Sequence, residues 1–403
     1  MPGYYHERNA QGVHDDLLAK AVWLQAGGQS AVLVECDLIG LKHEAVSAAR
    51  ELIAKREHLP AESVMLAATH THTGAAVKGE YANMLAVRIA EAVHAARLDA
   101  RTARAEIGYG REDSICFYRR FRMRNGTVET NPGHANPNIV EPAGEVDPRV
   151  GVVGLFAHDG PPFALLVNYA LHLDTVGGSL ISADYPFFMG ELLRRALSPD
   201  LTTVFLQSAA GNINHFDVFG RGPLKGFAET QRIGTILGAE VLKCVQRLEP
   251  FRAEPLRCAR RRIELPVAEV SEDDLAAAKN ALAEPPDETK DFTMDRVRAR
   301  RAVRLGQLAG RPVETELQCL ALGDLALVGI PGELFTELGR AIKDDSPFAH
   351  TFIVELANDS VGYLPHPQAF AEGAYEVESS AFASDVGDRI VGEALRLLHE
   401  LAE

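Results

Sequence analysis

Ser63-Val-Met-Leu-Ala-Ala68, followed directly by Thr69-His70-Thr71-His72-Thr73-Gly74, is the stretch on which the reading of this chain turns. The unbroken apolar run reads as a buried strand, and the small polar residues and glycine behind it read as the place where that strand ends. Upstream, Ser30-Ala-Val-Leu-Val-Glu-Cys36 is a second strand, and His43 to Glu57 between the two is a helix. A strand, helix, strand unit therefore opens the protein. Short apolar runs alternate with longer helical stretches along the rest of the chain, which is the texture of an α/β protein.

Outward from that unit, Ala82 to Ala96 has helical spacing without proline or glycine. Arg124 to Arg149 is interrupted by Gly126, Pro132, Gly133, Pro137, Pro142, Gly144 and Pro148, so it reads as a long loop. Val150 to Phe156 and Phe163 to Leu171 read as a strand pair around the turn His158-Asp-Gly-Pro-Pro162, and Thr203 to Gln207 as another buried strand. Ser271 to Leu308, charged and helix-favouring apart from Pro285 and Pro286, reads as a helical excursion, with a linker as the alternative. Leu320 to Ile330 and Thr351 to Leu356 return to strand character, and Asp385 to Leu401 closes as a helix. The expected organisation is one catalytic domain over residues 1–403 with an excursion at about 271–308.

Composition narrows the function classes. A balance of 41 basic against 56 acidic residues, −15 overall, opposes binding to nucleic acid or to anionic membranes, so the expected partner is a small-molecule substrate. No apolar run is long enough for a membrane anchor, and an oligomer stays open. Met1 leads into Pro2, Gly3 and Tyr4 without the segments of a secretory signal, which gives a cytoplasmic location as the expectation. Cys36, Cys116, Cys244, Cys258 and Cys319 are scattered and form no CxxC pair, so they read as reduced core thiols.

The candidate chemistry sits where strands end. With a strand period of two, His70 and His72 fall on one face. Both imidazoles can bind zinc there, or one can bind it while the other contacts substrate, or the pair can be hydrogen-bonded without metal. In Asn168-Tyr-Ala-Leu-His172-Leu-Asp174, His172 is a candidate third nitrogen ligand or a satisfied core group. Asp174 and Asp184 are either acceptors for imidazole N–H groups or solvated loop acids. Leu206-Gln-Ser-Ala-Ala-Gly211-Asn212-Ile-Asn214-His215-Phe-Asp217 reads as a site loop or an ordinary glycine turn, and His215 or Asp217 assists proton transfer if turned inward. Glu333, in Ile330-Pro-Gly-Glu333, is a site acid or a first-turn acid of the following helix. Tyr363 ends another polar loop that starts at Leu356. No HExxH helix, GxGxxG opening, phosphate loop or GxSxG elbow is present.

In their order, these segments resemble the N-terminal catalytic domain of the neutral, non-lysosomal ceramidases, a zinc-dependent amidase family, and its bacterial relatives. The likeness runs from Gly12-Val-His14 through Cys36-Asp37-Leu38, the THTHTG stretch, His172, the QSAAGN loop and PGE to ANDSVGY and Tyr375-Glu376. It implies a layered mixed β-sheet core flanked by helices. It also implies one zinc ion held by His70, His172, Glu333 and Tyr363, with His72 and Arg119 facing the reacting group. Asn214 and His215 join the candidate catalytic residues, and Asn212 and Tyr375 the candidate substrate contacts. Asn214 stands where the family has a serine, Tyr118-Arg119-Arg120 replaces its Asn-Arg-Ser segment, and its immunoglobulin-like C-terminal domain has no counterpart in these residues. The activity implied is a hydrolase that cleaves an amide or related bond in a small polar substrate with a metal-activated water. The alternatives are a zinc-dependent lyase or glycoside-cleaving enzyme, and a metal-binding relative without turnover.

Overall fold

The computed structural model describes residues 1–6, 8–158, 160–283 and 293–403. Three sheets carry its core. In the first, Ala19–Ala26 and Gln29–Cys36 form a hairpin, and helix His43–Glu57 crosses over to Val64–Ala68, parallel to Gln29–Cys36. The second runs in the order Thr202–Gln207, Pro162–Tyr169, Arg149–Phe156, Arg104–Arg111, Glu249–Pro250, with only the first pair parallel. The third runs Leu256–Leu265, Val313–Leu322, Leu325–Gly329, His350–Val354, and its last pair is parallel.

Side chains alternate along these strands between an inner and an outer core. Leu33, Met65, Val153, Leu166, Val204, Leu327 and Phe352 meet at the centre, drawn from all three sheets. Their neighbours point outward: Val34 and Leu66 pack under helices His43–Glu57 and Gly79–Leu98. Val167 and Phe205 pack under Tyr185–Ala196 and Phe227–Val245, and Val328 and Ile353 under Thr336–Asp344 and Val386–Ala402. Burial on both faces is why Val64–Ala68 and Leu325–Gly329 are apolar without interruption. Each such side chain contributes roughly 1.5–3 kcal/mol of transfer free energy, so the strand bodies are fixed and the loops beyond them are held at defined positions.

The structure amends several expectations. The stretch Leu320 to Ile330 is not one strand: Gly323, in the left-handed region at φ +57°, turns Val313–Leu322 back into Leu325–Gly329. The long loop Arg124 to Arg149 contains Val128–Thr130 and Ile139–Pro142, which flank Arg120–Met123 in a small sheet. The edge strand Ala19–Ala26 goes unnoticed in the sequence because Lys20 and Gln25 cut its apolar run to four residues. The excursion is helical at Glu272–Ala283 and Met294–Leu308, while Pro285 and Pro286 lie outside the described residues, as does Asp159 of the expected turn. All five cysteines are free, and no helix among the described residues is long and apolar enough to cross a membrane.

The parallel pairs decide where the site lies. Val64–Ala68, Pro162–Tyr169, Thr202–Gln207, Leu325–Gly329 and His350–Val354 deliver their following loops to one region, where His70, His172, Gly211, Glu333 and Tyr363 meet. Ligands of α/β proteins gather at the carboxyl ends of strands for this reason.

Candidate metal centre

His70 lies beyond the end of its strand, at φ +77°, a conformation rare for a residue with a side chain. Its backbone N–H donates to Leu38 O at 2.9 Å, and its ring Nδ1 lies 2.7 Å from Ile39 O. That carbonyl requires a proton on Nδ1, which leaves Nε2 with a lone pair aimed inward. The period-two argument therefore fails locally, because a turn rather than a strand carries His70 and His72. Their imidazoles converge all the same, with 3.4 Å between the Nε2 atoms.

His172 follows Pro162–Tyr169 and places its Nε2 3.0 Å from that of His70. Among the described residues, His70, His72 and His172 form the group able to hold a metal ion, their ligand atoms all within 4.8 Å of one another. Glu333–Leu334 pairs in parallel with Tyr363–Leu364, which sets the carboxylate opposite the phenol. Glu333 Oε2 lies 3.4 Å from His70 Nε2 and 4.0 Å from His172 Nε2, buried and without a well-directed hydrogen bond. Tyr363 faces Glu333 across this pairing, and the Arg119 guanidinium lies 5.4 Å from its ring centroid.

Electrostatics favour lone pairs on two of the three imidazoles. Burial pushes His72 down to about 4, and burial with the neighbouring His70 holds His172 well below the usual imidazole range. Burial opposes ionisation of both His70 and Glu333, yet each stabilises the other's charged form, so His70 is raised and Glu333 lowered. The neutral imidazoles of His72 and His172, with His70 facing the Glu333 carboxylate, form a nitrogen and oxygen donor set of the kind zinc takes. The residues present therefore fit a divalent cation.

A cavity of about 710 Å³ opens beside this cluster, lined by His72, Arg119, His172, Asn214, His215, Tyr363 and Tyr375 among others. Arg119 is buried; its Nε donates to Glu376 Oε1 at 2.7 Å and its Nη2 to Gly211 O at 2.6 Å, so the guanidinium is held rigidly. Asn214 donates to Asn131 Oδ1 at 2.7 Å and accepts from Phe216 N at 3.0 Å. His215 turns its Nε2 to Leu224 O at 2.9 Å, and its buried Nδ1 has no partner.

Other candidates stand elsewhere. Asn212 does not line the cavity: its amide donates to Tyr118 and Glu337, and its oxygen accepts from Thr336 N, so it ties the site loop to a helix start. Asp217 accepts from Phe219 N and Gly220 N and only closes its own loop. Asp184 is neither an imidazole acceptor nor a solvated acid. It is buried, caps helix Tyr185–Ala196 and accepts from Thr175 N. Asp174 approaches His72 Nδ1 only to 4.0 Å and pairs instead with Lys225 at 2.6 Å.

No protein-family model matches the chain, and no curated protein does. Solved structures do. A ceramidase complexed with C2 superposes with a TM-score of 0.74 at 19% identity, over 99% of this chain and 72% of its own. Neutral ceramidase from Pseudomonas aeruginosa gives 0.71 at 21% identity, over 93% of this chain and 67% of its own. The chain has the neutral ceramidase fold. Within that ceramidase-like frame, two contributors escaped the sequence reading. Tyr4, Tyr5 and His6 line the cavity, although nothing in their local pattern links them to strands hundreds of residues away. Glu355, buried, accepts from Ala210 N at 3.1 Å behind the site loop, and burial beside Glu333 raises it far above the carboxylate range. A lone acid within an apolar strand end was the signal available for it.

Proposed function

We propose that this chain is a zinc-dependent hydrolase of the amidase type, acting on an amide or related bond in a small polar substrate. The observation that carries this reading is the convergence of His70, His72, His172 and the unpaired Glu333 Oε2 beside a cavity. The ceramidase names of the two structural neighbours support an amide as the bond.

His70, His172, Glu333 and Tyr363 would hold the ion, with His72 beside it. A bound zinc ion supplies Lewis acidity, which polarises a carbonyl and lowers the pKa of water to about 7. The chain's own groups do the rest. Arg119, fixed by Glu376 and Gly211 O, keeps its positive charge and faces the cavity, where a well-placed donor to an oxyanion is worth roughly 3–4 kcal/mol. His72, neutral because buried, takes up and returns a proton. Asn214 cannot act as a hydroxyl nucleophile, so the attacking group is water. The test is elemental analysis of the purified protein followed by turnover of N-acyl amides. Stoichiometric zinc with amide cleavage is expected, and amide cleavage that persists in a metal-free protein overturns the reading.

A second reading rests on Asn214 and the hydrogen-bonding groups around it: a lyase or glycoside-cleaving enzyme with the same ion and a carbohydrate substrate. Turnover confined to sugars selects it. Bound zinc with no reaction in either class selects a metal-binding relative without turnover.

A further inference from the structure

The segment Gly3–His6 is not part of any strand or helix, yet it forms one wall of the cavity. Gly3, at φ +101°, runs against the ring of His72 so closely that a Cβ there would sit 2.7 Å from its Nδ1. Tyr4 meets the same ring edge-on at 5.8 Å between centroids, and its hydroxyl donates to Asp174 and receives Lys225 Nζ at 2.9 Å. Arg8 lies over the Tyr4 ring at 3.9 Å and reaches Gly178 O at 2.8 Å. Tyr5 donates to the Tyr375 hydroxyl at 3.1 Å, and Tyr375 in turn packs edge-on against Tyr363 at 5.6 Å. From helix Met294–Leu308, Arg300 donates to Tyr5 O at 2.8 Å and covers the Tyr5 ring at 4.8 Å. The segment is thus pinned from three sides by side chains rather than by a backbone ladder.

On the basis of the hydrolase reading, we infer that Tyr4 and Tyr5 are specificity-determining residues that wall the cavity and select compact substrates over long-chain ones. The cavity wall they share is mostly apolar, with Asn131 and Asn214 hydrogen-bonded to each other and His215 Nδ1 unpartnered within it. A long acyl chain leaving the metal cluster meets two anchored phenol rings in its path. Moving either ring breaks hydrogen bonds to Asp174, Lys225 or Tyr375, so the wall yields at a free-energy cost.

The test is calorimetric binding of acetohydroxamate and of hexadecanoyl hydroxamate to the zinc-loaded protein, alongside Tyr5→Ala and Arg300→Ala variants. The wild type is expected to bind the short probe and to bind the long one at least about tenfold more weakly than Tyr5→Ala does, a difference of roughly 1.4 kcal/mol. Arg300→Ala is expected to move the long probe in the same direction and to leave the short one unchanged. Equal gains for both probes, or none for either, overturn the selectivity while leaving the metal reading intact. No binding of either probe to any form overturns both.

Discussion

His70 Nε2 and His172 Nε2 lie 3.0 Å apart across a separation of 102 residues in the chain. With Nδ1 of His70 committed to Ile39 O, its Nε2 carries no proton in the neutral form. Two such nitrogens face each other with a carboxylate at 3.4 Å, an arrangement satisfied by a shared cation.

His70→Ala is therefore expected to abolish stoichiometric metal binding, and His172→Ala to do the same. Elemental analysis after dialysis checks it. Full metal content in either variant removes that residue from the ligand set.

Gly211→Ala is expected to destabilise the protein by about 1–3 kcal/mol and to weaken metal affinity together with it. A Cβ at this position would lie 2.5 Å from the carbonyl oxygen of Glu333 and 3.0 Å from that of Leu334, so backbone rather than a side-chain tip must give way. Urea unfolding of the metal-free protein reads the first effect and a zinc titration the second. A stability loss with unaltered zinc affinity would show that Glu333 does not answer to the glycine loop.

The pH dependence of stability should carry the mark of His215. Burial lowers its pKa from an ordinary 6.5 to about 4 in the folded protein. As pH falls below the ordinary value the unfolded chain takes up a proton that the folded chain refuses, so stability declines and levels off near the folded value. The full span corresponds to about 3 kcal/mol. His215→Asn should flatten that decline relative to wild type in urea melts across this window; parallel curves would show the ring to be ionised in the folded state.

How legible was this in the sequence? The strand bodies were, because burial on both faces writes an uninterrupted apolar run, as at Val64–Ala68 and residues 150–156. Helix His43–Glu57 was equally plain, ending where His58 takes a left-handed backbone. Half-exposed elements were not: Lys20 and Gln25 leave Ala19–Ala26 only four consecutive apolar residues, and Val128–Thr130 is too short to carry a pattern. At the site, His70, His172, Glu333 and Tyr363 could be gathered only through their likeness to a family, since no local spacing relates residues on different strands. Asn212 shows the opposite failure, as its place in a glycine loop suggested a ligand contact while its amide was needed by Tyr118, Glu337 and Thr336. Tyr4 and Tyr5 belong to a segment whose position depends on tertiary anchors such as Arg300 and Lys225.

Because the cluster draws its members from positions as far apart as His70 and Tyr363, no fragment that stops short of Tyr363 contains all of it. A ribosome must release nearly the entire polypeptide before the centre exists. If the proposed ion binds, its capture is a late checkpoint in biogenesis, and the affinity for it doubles as a gauge of whether every layer has been completed.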